Sequence, residues 1–170
     1  KLKRFENMQL SMMDDVAGLR AVLPRNQDVF NLVENLKQKA NKNKISKLSN
    51  YISHPKDDGY RSMHIVYKLD KNPSIQIELQ IRSHLQHIWS TGVEVFGTLE
   101  KTSFKTGEGG THWKEFFKLL SSRFAIYENS PILREHEIYS KGQLNTLLKK
   151  KIRELNIIEL LNTYTRAYTS

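Results

Sequence analysis

At 170 residues, 38% hydrophobic and 26% charged, the chain has the make-up of one globular domain with a core of its own. It has no cysteine, which excludes a disulfide framework or a cysteine-ligated zinc and is compatible with a reducing cytoplasm, and no apolar run reaches the roughly 18 residues of a membrane span. The net charge of +9, from 27 Lys and Arg against 18 Asp and Glu, favours anionic partners: nucleotides, nucleic acid or an anionic surface.

Residues 1–13 read as the end of a helix, with Leu2, Phe5 and Met8 at helical spacing. The chain opens inside that pattern and without methionine, so more sequence is expected before it. Asp14 and Asp15 then precede 16–23, a mostly apolar run closed by Pro24, which fits a strand covered on both faces. Asn26 or Asp28 caps a helix to about residue 40, with Val29, Phe30, Val33 and Leu36 inward. A short strand is predicted over 44–53, followed by the loop 54–59. The basic runs 37–47 and 149–153 read first as solvated faces.

Between residues 51 and 97 polar groups recur on one predictable face. Met63, Ile65, Tyr67 and Leu69 alternate with Ser62, His64, Val66 and Lys68, and Ile75, Ile77, Leu79 and Ile81 alternate with Gln76, Glu78, Gln80 and Arg82. A loop over 70–74 would close these strands into a hairpin, pairing Leu69 near Ile75 and His64 near Gln80, with Glu78 diagonal to His64 on the same face. After Arg82 the period becomes 3.6: Leu85, Ile88, Trp89, Gly92, Phe96 and Leu99 form one helical stripe, and His84, His87, Thr91 and Glu94 another. The ordinary reading of such a polar face is contact with water. Tyr60, His64, Glu78, Arg82 and His87 are nonetheless placed so that they can converge.

A Gly-rich tip at 107–110 leads to two helices, 112–127 with Trp113, Phe116, Phe117, Leu120 and Phe124, and 142–168 with Leu144, Leu148, Ile152 and Leu155, whose stripes read as packing. The order α-β-α-β-β-β-α-α-α predicts an α+β fold with a mixed sheet flanked by helices.

No phosphate loop, dinucleotide fingerprint, zincin helix or nucleophile elbow is present. What remains is Asp15 and Glu78, two acids beside strands among basic and aromatic groups. Taken singly each is more often an ordinary strand-end or solvent-facing acid. Together they are what a magnesium ion needs when substrate phosphates supply its other ligands. A His84/His87 metal hydrolase lacks any ligand set of known spacing.

Three segments resemble the RelA/SpoT-type alarmone synthetases, or GTP pyrophosphokinases. Asp15-Val-Ala-Gly-Leu-Arg20 is similar to D-I-A-G-[IL]-R, Gly59-Tyr60-Arg61-Ser62-Met63-His64 to G-Y-[RQ]-S-[IL]-H, and Glu78-Leu-Gln80-Ile-Arg82 to E-[IVL]-Q-I-R-[ST]. The likeness extends over residues 1–131, leaving 132–170 as a helical C-terminal extension, and implies a nucleotidyltransferase-like sheet. It implies transfer of the β,γ-pyrophosphoryl group of ATP to the ribose 3′-hydroxyl of GDP or GTP by a magnesium-dependent cytoplasmic enzyme. Asp15 would hold the metal, and Glu78 would be a second ligand or the base. Tyr60 would stack on the acceptor guanine, Lys56 and His64 would meet acceptor phosphates, and Arg20 and Arg82 would serve the donor or orient the acids. His87 falls where the family often contacts the base.

The family's ATP-gripping basic element, K/R-x-K-x-x-S-I, should lie just before the opening helix, where only Lys3 and Arg4 stand. Weak ATP binding and low activity are therefore expected of these 170 residues alone. The rival readings are a toxin-like relative that modifies the tRNA 3′ end, which the charge also fits, and a silent RNA-binding module, against which Asp15 and Glu78 argue. No membrane partner is expected, and a homo-oligomer is among the expected states.

Overall fold

The structure, a computed structural model, describes residues 17–39, 44–69, 72–99 and 110–169. It divides into two compact units, Lys1–His54 with Arg61–His87, and Pro55–Tyr60 with Ile88–Ser170. The predicted opening helix, Lys3, Arg4 and Asp15 lie outside the described residues.

The first unit is built on a four-stranded mixed sheet: β1 (Ala17–Leu23), β2 (Ile45–Asn50), β3 (Met63–Leu69) and β4 (Asn72–Ser83), in the order β1-β4-β3-β2. β1 runs parallel to β4, and the other neighbours are antiparallel. Helix α1 (Asn26–Lys39) buries Val29 and Val33 in a core with Ile52, Met63, Ile65 and Ile81, while Ala21, Leu23, Tyr67 and Leu79 pack at its margin. The odd-numbered residues Met63, Ile65 and Tyr67 of β3 and Leu79 and Ile81 of β4 thus share the core with α1, as the alternation of those two strands predicts.

Two expectations fail here. β1 is an edge strand, and Leu19 is 63% exposed, so the strand is not covered on both faces; an apolar run alone does not distinguish a central strand from an edge. Leu69 pairs with Asn72 instead of Ile75, because a register shift follows Lys68 and β4 begins before Ile75. The ladder below the shift is as predicted, with His64 opposite Gln80.

The switch from strand to helix falls between Ser83 and α2 (His84–Leu99). The Gln86 N–H donates to Ser83 Oγ at 3.2 Å and the Ser83 N–H donates to Gln86 Oε1 at 3.1 Å, a reciprocal pair that closes the first turn. Thr91 and Glu94 are exposed as expected, but so is Ile88, at 44%, and Val93 takes the inward place.

The second unit gathers the later part of α2, α3 (Thr111–Tyr127), α4 (Lys141–Glu154) and α5 (Ile157–Thr169), with a 3-10 turn at Arg134–His136. Trp89, Val93, Phe96, Trp113, Phe116, Phe117, Leu144, Leu148 and Ile157 form one aromatic-rich core. Trp89 Nε1 donates to the Phe117 carbonyl at 2.8 Å, satisfying the polar end of a buried ring. The single helix expected over 142–168 is two helices, because Asn156 adopts φ 49° and stops α4. Asparagine tolerates this left-handed conformation better than most side chains.

Candidate functional site

Strand parity puts Ser62, His64, Val66 and Lys68 on the same face of the sheet as Gln76, Glu78, Gln80 and Arg82, away from α1. That face does not simply meet water. Arg82 and Val66 are buried, and the side chains of His64 and Glu78 are each only 14% exposed. His64 Nδ1 lies 2.6 Å from Glu78 Oε1, and because a carboxylate accepts, Nδ1 carries the hydrogen in that bond. Gln80 Nε2 donates to Glu78 Oε2 at 2.9 Å, and Arg82 donates to Gln80 Oε1 at 2.8 Å.

The direction of this chain follows from Arg82. A guanidinium has donors only, so the Gln80 oxygen must turn toward it, and the Gln80 NH₂ is then left to face Glu78. Both oxygens of Glu78 are held in this way, and hydrogen bonds to a charged group are worth about 1.5–3 kcal/mol each. The ring of Tyr51 meets His64 edge-on with centroids 5.2 Å apart and holds the imidazole plane. In the parallel ladder Gly18 stands opposite Glu78 and Arg20 opposite Gln80, so Arg20 shares the polar face. Apart from its chain neighbours, a Cβ at Gly18 would meet none of the described residues within 4 Å, so among these the space beside the carboxylate is open.

Lys56 and Tyr60 belong to the second unit. Their loop is closed by Gly59 N–H to Lys56 O at 2.8 Å and Lys56 N–H to Tyr60 O at 3.2 Å, and Asp58 Oδ1 accepts from the Tyr60 N–H at 2.8 Å. Lys56 Nζ lies 5.2 Å from the centroid of the Tyr60 ring, and that ring meets Trp89 at 6.3 Å in an edge arrangement. The cation and the aromatic are therefore presented as a pair. Gly59 has φ +94°, a conformation open to glycine at little cost, and its carbonyl accepts from Ser121 Oγ at 2.6 Å.

Of the residues singled out by sequence, His64, Glu78 and Arg82 join one hydrogen-bonded network, with Arg20 beside it in register, and Lys56 and Tyr60 form a second cluster. His84 is exposed and His87 half-buried on the first turn of α2. Gln80 and Tyr51 were not singled out, although Gln80 follows from parity once Glu78 is suspected. Ser121 carries no sequence signal, being 62 residues from the loop it holds.

The described part of this chemistry fits a hard divalent cation in kind, a carboxylate oxygen with open space beside it. No group of three or more His, Asp or Glu that could hold a metal occurs among the described residues, and Asp15 lies outside them.

A family model described as the region found in RelA / SpoT proteins matches residues 1–98, more than half of the chain. The chain therefore belongs to the RelA/SpoT-type synthetase family. It is 33% identical over 82 residues to the GTP pyrophosphokinase YwaC of Bacillus subtilis, an alignment covering 45% of this chain and 39% of that protein. It is 29% identical over 103 residues to the probable GTP diphosphokinase RSH3, chloroplastic, of Arabidopsis thaliana, covering 61% of this chain and 14% of that protein. The match thus spans well under half the length of either relative.

Among solved structures, small alarmone synthetase 2 of Bacillus subtilis superposes with a TM-score of 0.59 at 22% identity, covering 75% of this chain and 68% of that one. Small alarmone synthetase 1 of the same organism, bound to its product pppGpp, gives 0.59 at 23%, covering 75% and 66%. At that identity the likeness establishes the fold: a mixed four-stranded sheet with helices, as expected.

Proposed function

We propose that this chain is the synthetase part of a pyrophosphokinase that transfers the β,γ-pyrophosphoryl group of ATP to the ribose 3′-hydroxyl of GDP or GTP. The observation that carries the reading is the mostly buried carboxylate of Glu78, clamped by His64 and by the Arg82–Gln80 pair on an inner strand within the residues that the family model matches. The naming of the relatives as GTP pyrophosphokinases and the pppGpp bound to a structural neighbour support guanine nucleotides as acceptor.

In this reading the 3′-oxygen attacks the β-phosphorus of ATP, the bond from that phosphorus to the α-phosphate oxygen breaks, and AMP leaves. Glu78 receives the hydroxyl proton, held in place by its two partners so that no reorganisation is needed at the moment of transfer. Tyr60 supplies a stacking face for guanine, Lys56 neutralises acceptor phosphate beside it, and Arg20 meets the donor. His64 is committed to Glu78 and acts through it, not primarily on phosphate. Asp15 would hold magnesium, with Glu78 as a second ligand in the alternative where it is not the base, and the ion would neutralise donor phosphate charge when bound. ATP and GTP as substrates suit a cytoplasmic setting.

The test is product analysis of the full-length protein with labelled ATP against GDP, GTP, adenine nucleotides and tRNA. Guanosine 3′-diphosphate products are expected. Label on the tRNA 3′ end would move the protein to the toxin-like reading, and no transfer to any acceptor would overturn the enzyme reading.

A further inference from the structure

Ser121 stands in the middle of α3, beyond the residues that the family model matches, and is 1% exposed. Its hydroxyl donates to the Gly59 carbonyl at 2.6 Å, a buried contact between segments 62 residues apart. Gly59 is itself buried, and a Cβ added there would fall 2.9 Å from Ser121 Cβ and 3.4 Å from Trp89 Cζ2. The loop backbone thus lies directly on α3 and on the Trp89 ring, without slack. The next residue is Tyr60, whose ring packs against the same aromatic core, and Lys56 is tied back to Tyr60 and Gly59 by two backbone hydrogen bonds.

We propose that Ser121 is a positioning residue for the acceptor nucleotide: by pinning the Gly59 carbonyl it sets the place of the Tyr60 ring and the Lys56 ammonium. The proposal rests on the reading of Tyr60 as the guanine platform. The physical reason is twofold. A buried carbonyl stripped of its donor is left unsatisfied, so the loop shifts to find water. A shift of even about 1 Å in a stacking ring misplaces the bound base relative to the reacting groups. Helix α3 would in this way contribute to acceptor recognition without touching the nucleotide.

The experiment is steady-state kinetics on the full-length protein for wild type, Ser121→Ala, Tyr60→Ala and the double variant, beside thermal melting. Ser121→Ala is expected to raise the acceptor KM about five- to tenfold, as loss of one well-formed hydrogen bond implies, while the ATP KM and kcat move less than about twofold. In the Tyr60→Ala background the same change should raise the acceptor KM by clearly less than it does in the wild type, the remainder passing through Lys56, because residues that act through one another are not additive. An unchanged acceptor KM, an equal effect on ATP, or multiplicative effects in the double variant would each overturn the proposal. If Tyr60→Ala itself leaves the acceptor KM unchanged, the guanine-platform reading falls instead. Should Ser121→Ala fail to fold, Ser121→Cys, which keeps the volume with a weaker donor, is read by the same criteria.

Discussion

The polar face of the sheet and the loop 54–60 solve the same problem by different means. On the sheet, Glu78 is held by His64, directly across the hairpin from its neighbour Gln80, and by Gln80 itself, two residues along the same strand. Strand register brings both His64 and Gln80 to Glu78. In the loop, Tyr60 is placed by a glycine at positive φ and by a serine on a distant helix. The first arrangement is local and polar, and it orients a charge. The second is long-range and mostly apolar, and it presents a ring. A base must be fixed to fractions of an ångström, whereas a stacking platform needs mainly a fixed plane, so the denser hydrogen bonding falls where the proposed proton transfer occurs.

The variant with the largest expected effect attacks the sheet. Glu78→Gln keeps the size and removes the charge, and transfer should fall by at least about 100-fold, within the range usual for general-base removal. Asp15→Asn should abolish transfer alongside it. The structure changes the expectation for stability. A solvent-facing Glu78 would lose little, but this one accepts from two donors at 14% exposure, and an amide would turn its NH₂ toward one of them. A loss of about 1–3 kcal/mol is expected, read by urea denaturation beside the transfer rate. Normal transfer in Glu78→Gln would remove the strand-borne half of the comparison.

Next comes the ring. Tyr60→Ala should raise the acceptor KM by about ten- to a hundredfold, since stacking on an aromatic is worth about 1–3 kcal/mol per base, with the ATP KM little changed. Equal effects on both substrates would break the division of labour between sheet and loop. Gly59→Ala tests the same loop through its backbone. The new methyl meets Ser121 Cβ at 2.9 Å and the residue is held at φ +94°, so a destabilisation of about 1–3 kcal/mol is expected in denaturant melts. A neutral result would show that the loop relaxes freely and that its anchoring is unimportant.

These two regions also mark what the sequence discloses. The His64–Gln80 pairing, the face carrying Glu78 and the strand-to-helix switch after Arg82 follow from periodicity and the short loop, because a one-residue slip would turn the apolar side outward and the loop length limits larger ones. The exposure of β1 did not follow, since an apolar run reads alike at the edge and the centre of a sheet. The break at Asn156 was signalled only by one asparagine in an otherwise helical pattern. Ser121 and Ser122, the buried serines of α3, had no local pattern at all: their partners are Gly59, Leu133 and His136, and nothing in a run such as Leu-Leu-Ser-Ser announces contacts so far along the chain.

The smallest expected effect belongs to the second of those serines and extends the comparison to pH. Ser122 Oγ accepts from the Leu133 N–H at 3.2 Å and lies 2.8 Å from His136 Nδ1; in the tautomer with the ring hydrogen on Nε2, 3.6 Å from Glu135 Oε1, the hydroxyl donates to Nδ1. His136 is 7% exposed, and burial pushes its pKa below the ordinary value; Glu135 opposes that shift and Lys118, paired with Glu135 at 3.2 Å, adds to it. Charging the ring would put a hydrogen on Nδ1 and take from the Ser122 hydroxyl its acceptor. Because the folded pKa is lowered, the unfolded chain binds the proton more readily near and below its own pKa of about 6.5, and stability rises with pH there. The stability is complete above that value and is lost as pH falls through the lowered folded pKa. Denaturant midpoints followed from about pH 8 to pH 5 should decline for the wild type across the range in which histidine titrates. The decline should flatten in His136→Asn. An unchanged slope in that variant would assign the acid sensitivity to another group and remove His136 as the pH-labile point.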